Sequence, residues 1–157
     1  MSIAAHSARV MHAKDIMYPR LSLPAGEKGK ELVNKLLLPY PALPVVNDNR
    51  EVIGVVSEYD ILDALEEGRT MNELTAQSLM KCGHFRHTSA CNRPLTVSTC
   101  TSLEEVVNLF FKEKFSILPV IEEGKLVGLI TRKTIINALA EEHYGPEHGF
   151  LNCAEAA

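Results

Sequence analysis

Ala42-Leu-Pro-Val-Val46 returns as Ile117-Leu-Pro-Val-Ile121, and Val52-Ile-Gly-Val-Val-Ser57 returns as Leu126-Val-Gly-Leu-Ile-Thr131. The offsets are 75 and 74 residues, so one small unit is written twice in a chain of 157. An earlier pair, Asp15-Ile-Met17 and Ser78-Leu-Met80, is offset by only 63. The second copy therefore carries about eleven extra residues, placed between Met80 and Pro94.

Working outward from these strands, each copy reads alike. A short strand comes first, at 21–23 and again at 95–97. An amphipathic helix follows. Its apolar face is Leu32, Val33, Leu36 and Leu37 in copy one, and Leu103, Val106, Val107, Phe110 and Phe111 in copy two. Two apolar strands then flank a turn. They run 43–46 and 51–56 around Asn47-Asp-Asn-Arg50, and 118–121 and 126–130 around Glu122-Glu-Gly-Lys125. Asn, Asp and Gly suit such turns because they tolerate positive φ or bond their own backbone. A closing helix is expected over 59–67 and over 132–142, with Gly145-Pro146 ending the last one. Alternating helix and strand gives an α/β (α+β) class with two small sheets.

Composition narrows the function. The chain is 46% apolar and 23% charged with a net charge of −4, ordinary for a globular protein. That balance speaks against a non-specific nucleic-acid binder, which would be basic. No apolar run approaches the roughly 20 residues of a membrane span. The opening MSIAAHSARVMHAKD lacks the apolar core of a secretory signal. The expectation is a cytoplasmic protein with no membrane partner, its four cysteines (Cys82, Cys91, Cys100, Cys153) mostly reduced.

The β-α-β-β-α order, with Pro-Val in the first hairpin strand and a Gly-x-x-[Ser/Thr] close to the next, resembles the CBS (cystathionine-beta-synthase) domain. The tandem arrangement is similar to a CBS pair, or Bateman module, over about residues 11–140. On this reading the first domain and its N-terminal segment occupy 1–75. The second occupies 76–142, with an insertion at about 81–93, and a tail follows at 143–157. The resemblance implies two domains packed sheet to sheet about a pseudo-two-fold axis. It further implies clefts that hold AMP, ADP, ATP or another adenosine compound, and a non-catalytic, regulatory role in ligand sensing and signal transduction.

The sharpest local feature is Gly54-Val-Val-Ser57-Glu-Tyr59-Asp60. A strand delivers Ser57 to a helix start, and Asp60 lies one turn in. A carboxylate there can accept both hydroxyls of a ribose, since diol and carboxylate match two donors to two acceptors. Free N–H groups of the first turn can meet a phosphate. The same Ser-x-x-Asp pattern also reads as a helix cap, with Asp in place of the usual Glu or Gln. By the resemblance, the adenine pocket of that cleft comes from the other copy. Its matching positions are Leu95 and Thr96, then Ser116, Ile117 and Pro119. Ile117 and Pro119 also suit a plain core. Arg132 and Lys133 begin the last helix, where cations oppose the macrodipole. They are either phosphate ligands or a solvated first turn. In copy two Thr134 stands where the family has Asp, and Tyr40-Pro41 stand where members often place a phosphate-binding Arg or His. One good adenosine site is the expectation, with no obligatory cofactor.

Other motifs point elsewhere. Pro24-Ala-Gly26-Glu-Lys-Gly29-Lys30-Glu31 is too short for a phosphate-binding loop, and Glu31 replaces the hydroxyl that would hold magnesium. Cys82, His84, His87 and Cys91 give an alternative function, a metal or redox sensor, since two thiolates and two imidazoles can build a tetrahedral site. Their C-x-H-x2-H-x3-C spacing matches no zinc motif with a clear mechanism, so a polar loop is expected instead. No base and orienting group can be placed around a nucleophile, so no enzyme is expected. The closing helices carry apolar residues beyond one stripe: Ile61, Leu62, Ala64 and Leu65, then Ile135, Ile136, Ala138 and Leu139. A homodimer through them is expected, with an unnamed regulated protein as a further partner.

Overall fold

The computed structural model describes residues 10–19, 21–81, 94–113 and 115–145. A leading segment carries α1 (Ala13–Ile16) and β1 (Tyr18–Pro19). Copy one follows as β2 (Leu23–Pro24), α2 (Gly29–Leu36), β3 (Ala42–Val46), β4 (Val52–Ser57) and α3 (Glu58–Glu66). A second leading segment holds a 3-10 turn (Met71–Glu73) and α4 (Ala76–Leu79). Copy two is β5 (Val97–Ser98), α5 (Leu103–Glu113), β6 (Leu118–Glu122), β7 (Lys125–Ile130) and α6 (Arg132–Tyr144).

Both copies form the same small mixed sheet. β2 runs parallel to β3, which pairs antiparallel with β4; β5, β6 and β7 repeat the pattern. The second hairpin closes through Glu123 and Gly124, both at positive φ (52° and 78°), a two-residue turn whose twist suits the strands. In the first hairpin the positive φ falls on Arg50 (64°). Asn47 holds that turn with its side-chain oxygen, which accepts the Asn49 and Glu51 N–H groups at 3.0 Å each. The two sheets face each other. Ile117 and Leu129 of the second are buried in one cluster with Leu23, Val45 and Val55 of the first.

The leading segments cross over. β1 joins the sheet of copy two, with Tyr18 opposite Leu129 and Pro19 opposite Gly128. Reciprocally, Lys81 bridges Val55 of β4 through two backbone bonds of 2.8 Å. The loops before α5 and α2 are held the same way. The Ala13 and Lys14 N–H groups donate to the Thr101 and Thr99 carbonyls, while those of Ala76 and Gln77 donate to Glu27 and Ala25. Two glycines admit this exchange. A Cβ at Gly54 would lie 2.8 Å from the Met80 side chain, and one at Gly128 would strike Met17 and sit 2.9 Å from the Tyr18 carbonyl oxygen.

The helical faces differ from the periodic reading at one edge each. Leu32 and Leu36 are buried, but Leu37 caps the helix and is 77% exposed. On α5, Leu103 and Val106 are buried, while Phe111 is 78% exposed. At 3.6 residues per turn Phe111 stands about 80° from Leu103, outside the stripe a small sheet can cover.

Candidate functional site

β4 ends at Ser57 with extended backbone, and α3 starts at the next residue. The Ser57 N–H donates to Asp60 Oδ2 at 2.7 Å, and the Ser57 hydroxyl donates to the same oxygen at 3.1 Å. Both bonds use Oδ2, so neither engages Oδ1. Asp60 is only 8% exposed. Burial pushes its pKa above the ordinary carboxylate value. The Ser57 bonds and the charge of Lys81 pull it down, and Asp63 adds to the rise. Cap and ligand readings are thus compatible: one carboxylate oxygen caps α3, and the other stays available.

The equivalent position in copy two is closed chemically. The Thr131 N–H donates to Thr134 Oγ1 at 3.0 Å, and the Thr134 N–H donates to Thr131 Oγ1 at 3.2 Å. The Thr134 hydroxyl donates to the Thr131 carbonyl at 2.9 Å. Its only proton is committed and it is 2% exposed, so it offers a diol nothing.

The remaining sequence candidates fall in three places. Tyr59 is on the first turn of α3 and partly exposed. Leu95 and Thr96 precede β5, half-buried, with Leu95 packed on the core of copy two. Ser116 and Ile117, just before β6, and Pro119 within it are buried, and Ile117 belongs to the shared inter-sheet cluster. Arg132 and Lys133 are exposed on α6, on the Thr131–Thr134 cap and not on α3. The structure therefore joins Ser57 to Asp60 directly. It puts the two cations at the other, pseudo-equivalent helix start. Tyr40 packs edge to face against Tyr18, ring centres 6.5 Å apart.

Lys81 is the residue that motif reading passed over. Its bridge to Val55 sets it two residues along β4 from Ser57, and its charge acts on Asp60. The available signal was a comparison of the copies: Met80-Lys81 aligns with Met17-Tyr18. Cys82, His84, His87 and Cys91 lie outside the described residues. Among the described residues no group of three or more His, Cys, Asp or Glu could hold a metal ion. A shallow cavity of about 210 Å³ between α1 and α6 is lined by Met11, Asp15, Ala138, Glu141 and Glu142. Three carboxylates and no cation make it a poor seat for a phosphate ester. No described helix is long and apolar enough to cross a membrane.

Comparison with known proteins agrees with this architecture. The family model of the CBS domain matches residues 13–67 and 90–141. The chain is 30% identical over 146 residues to the CBS domain-containing protein CBSX2, chloroplastic, of Arabidopsis thaliana, covering 79% of this chain and 61% of that protein. It is 31% identical over 113 residues to the related CBSX1, spanning 48% of its length. A crystal structure of CBSX2 in complex with AMP superposes with a TM-score of 0.64 at 27% identity, covering 83% of this chain and 97% of the other. The structure of Hypoxic Response Protein I, with two coordinated zinc ions, shares the fold at TM-score 0.66 and 23% identity, covering 80% of this chain and 97% of that one.

Proposed function

We propose, from the premise that this chain belongs to the CBS domain family as a tandem pair, that it is a ligand-sensing regulatory module. It takes one adenine nucleotide (AMP, ADP or ATP) at the Ser57–Asp60 cleft and performs no catalysis of its own. The observation that carries this is the buried Asp60 carboxylate, anchored through one oxygen and present in only one of the two copies. A buried carboxylate is costly unless something pairs with it, and a ribose diol supplies two donors. That a relative 27% identical to this chain is known in complex with AMP supports the same class of ligand here. The adenine side of the cleft is assigned to Leu95, Thr96, Ser116, Ile117 and Pro119, with Tyr59 beside the ribose. Its phosphate side is assigned to Arg132 and Lys133, which begin α6.

The division into domains at 1–75 and 76–142 is part of the proposal, with the two leading segments exchanged between the halves. So is a homodimer through α3 and α6, supported by Leu62 (58% exposed), Leu65 (41%) and Ile136 (66%) on those helices. A regulated protein partner and a cytoplasmic location complete it. Mass spectrometry of the compound that co-purifies with the chain, followed by calorimetric titration of AMP, ADP and ATP, tests the core claim. Binding of at least one of them is expected; no binding of any would reject it.

A further inference from the structure

The second cleft is furnished differently from the first, and not only at Thr134. Tyr18 of β1 stands opposite Leu129 of β7. Opposed residues of an antiparallel pair share a face, and Leu129 faces the other sheet, buried in the cluster that joins the two copies. Thr131, two residues on and still extended, continues that face to the start of α6. The Tyr18 side chain is therefore directed into the space between the sheets, beside the Thr131–Thr134 cap, and the residue is only 9% exposed. Tyr40, from the loop before β3, packs on the same inter-sheet cluster. It meets Tyr18 edge to face, ring centres 6.5 Å apart and planes at 89°. At the Ser57 cleft the same two places hold Lys81 and Phe115, at offsets of 63 and 75. Lys81 brings no ring, and Phe115 is buried in the separate core of copy two.

We infer that the Tyr18–Tyr40 pair is a built-in occupant of the Thr134 cleft, which limits the chain to one ligand. This rests on the proposed function for the nature of the ligand and adds what decides the number of sites. A phenol ring is comparable in size to a ribose, and a close-packed interior has no room for both. Thr134 removes the acceptors that a diol needs, and the two rings remove the space. These exclusions are independent. Restoring a carboxylate at position 134 therefore does not by itself make a second site.

Calorimetric titration of AMP, ADP and ATP into the full chain and its variants counts the sites, with melting curves to show that each variant is folded. The native chain should take a single equivalent, and so should Thr134→Asp. Thr134→Asp combined with Tyr18→Ala and Tyr40→Ala should take a second. Two equivalents in the native chain or in Thr134→Asp would overturn the inference and leave nucleotide binding standing, since the rings would then exclude nothing. A folded triple variant still limited to one would overturn it too. Native chain that binds none of the three rejects the proposed function. A second measurement needs no nucleotide, and it decides for or against the occupant in that case or where the triple variant does not fold. Phenol, the ring that Tyr18→Ala cuts away, should raise the melting temperature of that single variant and leave the native chain unchanged, as a ligand entering a vacated space does. No rise in Tyr18→Ala would show that the ring fills no such space and would end the proposal.

Discussion

Replacing Asp60 by Asn separates the two things its carboxylate does. In the structure Oδ2 accepts the Ser57 N–H at 2.7 Å and the Ser57 hydroxyl at 3.1 Å. An asparagine oxygen can accept the same N–H, so the cap on α3 survives. The charge does not. Burial is the main cause of the raised pKa of Asp60, ahead of the lowering by Ser57 and Lys81. A raised pKa means that the folded chain holds this proton more tightly than the unfolded one. The ionised carboxylate therefore costs stability at neutral pH, and the cost is relieved as pH falls through the folded pKa toward the unfolded value near 3.8. Asp60→Asn removes that cost. It should melt within about 1 kcal/mol of the native chain at pH 7, on either side, given a retained cap. It should also lose part of the native chain's gain in stability on mild acidification. Asp60→Ala, which loses the cap as well, should fall by about 1 kcal/mol.

Binding should respond in the opposite order of severity. Asparagine offers one acceptor and one donor group where the diol needs two acceptors. Losing two hydrogen bonds to a charged acceptor, each worth about 1.5 kcal/mol at the low end, weakens AMP about 100-fold. Thermal melts with and without AMP, run from pH 4 to 8, read both quantities at once. A native-like melt with the AMP shift abolished is the expected pattern. The reasoning fails if Asp60→Asn loses more than about 2 kcal/mol while its AMP shift persists, because the carboxylate would then be a cap and nothing more.

Thr134→Ala should cost about 1 kcal/mol, from the lost cap bonds, and leave the AMP shift intact; an equal loss of binding in Thr134→Ala and Asp60→Ala would end the one-cleft assignment. Gly128→Ala should destabilise by about 1–3 kcal/mol through overpacking, and more than Gly54→Ala, because its new methyl meets the Tyr18 backbone carbonyl as well as Met17, whereas the three atoms nearest the one at Gly54 all belong to the Met80 side chain. Melting curves rank the two, and Met80→Ala, which removes Cγ and Sδ but keeps the Cβ at 2.8 Å, should relieve Gly54→Ala only in part. Sedimentation at micromolar concentration should give about twice the chain mass, and Leu62→Glu with Ile136→Glu should shift it toward a monomer more than Leu103→Ala does. A native chain that sediments as a monomer would remove the α3–α6 interface from the proposal.

Much of the fold was legible because its signals are local. The Pro-Val and Gly-x-x-[Ser/Thr] strands are short apolar runs between turns, and they recur. Pairs such as Leu43 with Val56, and Leu118 with Ile130, lie within one hairpin. The exchange of leading segments was not legible in that way. Tyr18 pairs with Leu129 and Lys81 with Val55, across the chain and through bridges of one or two residues. Such pairings carry no periodicity, and the glycines that permit them look like ordinary strand glycines. Phe111 was assigned to the buried stripe because periodicity gives a direction but not the width of what covers it. At the site, the Ser57–Asp60 cap was visible as a pattern. The charge of Lys81 beside it was not, because Lys81 meets β4 only through the crossed segment.

That crossing bears on what a ligand would do. Asp60 and Ser57 belong to copy one, while Lys81 follows α4 on the stretch of chain that leads into copy two. A nucleotide held by its ribose on Asp60, with its adenine against Ile117 and Pro119 of copy two, would span both halves. Its binding free energy would then add to the stability of the pair, because separating the halves would break both contacts. The Thr134 side has the same crossover, with Tyr18 against β7, but its hydroxyl is spent on its own cap. One half of a symmetric frame would thus respond to ligand while the other holds it together, an asymmetry that a regulatory module can pass on as a change between its two halves.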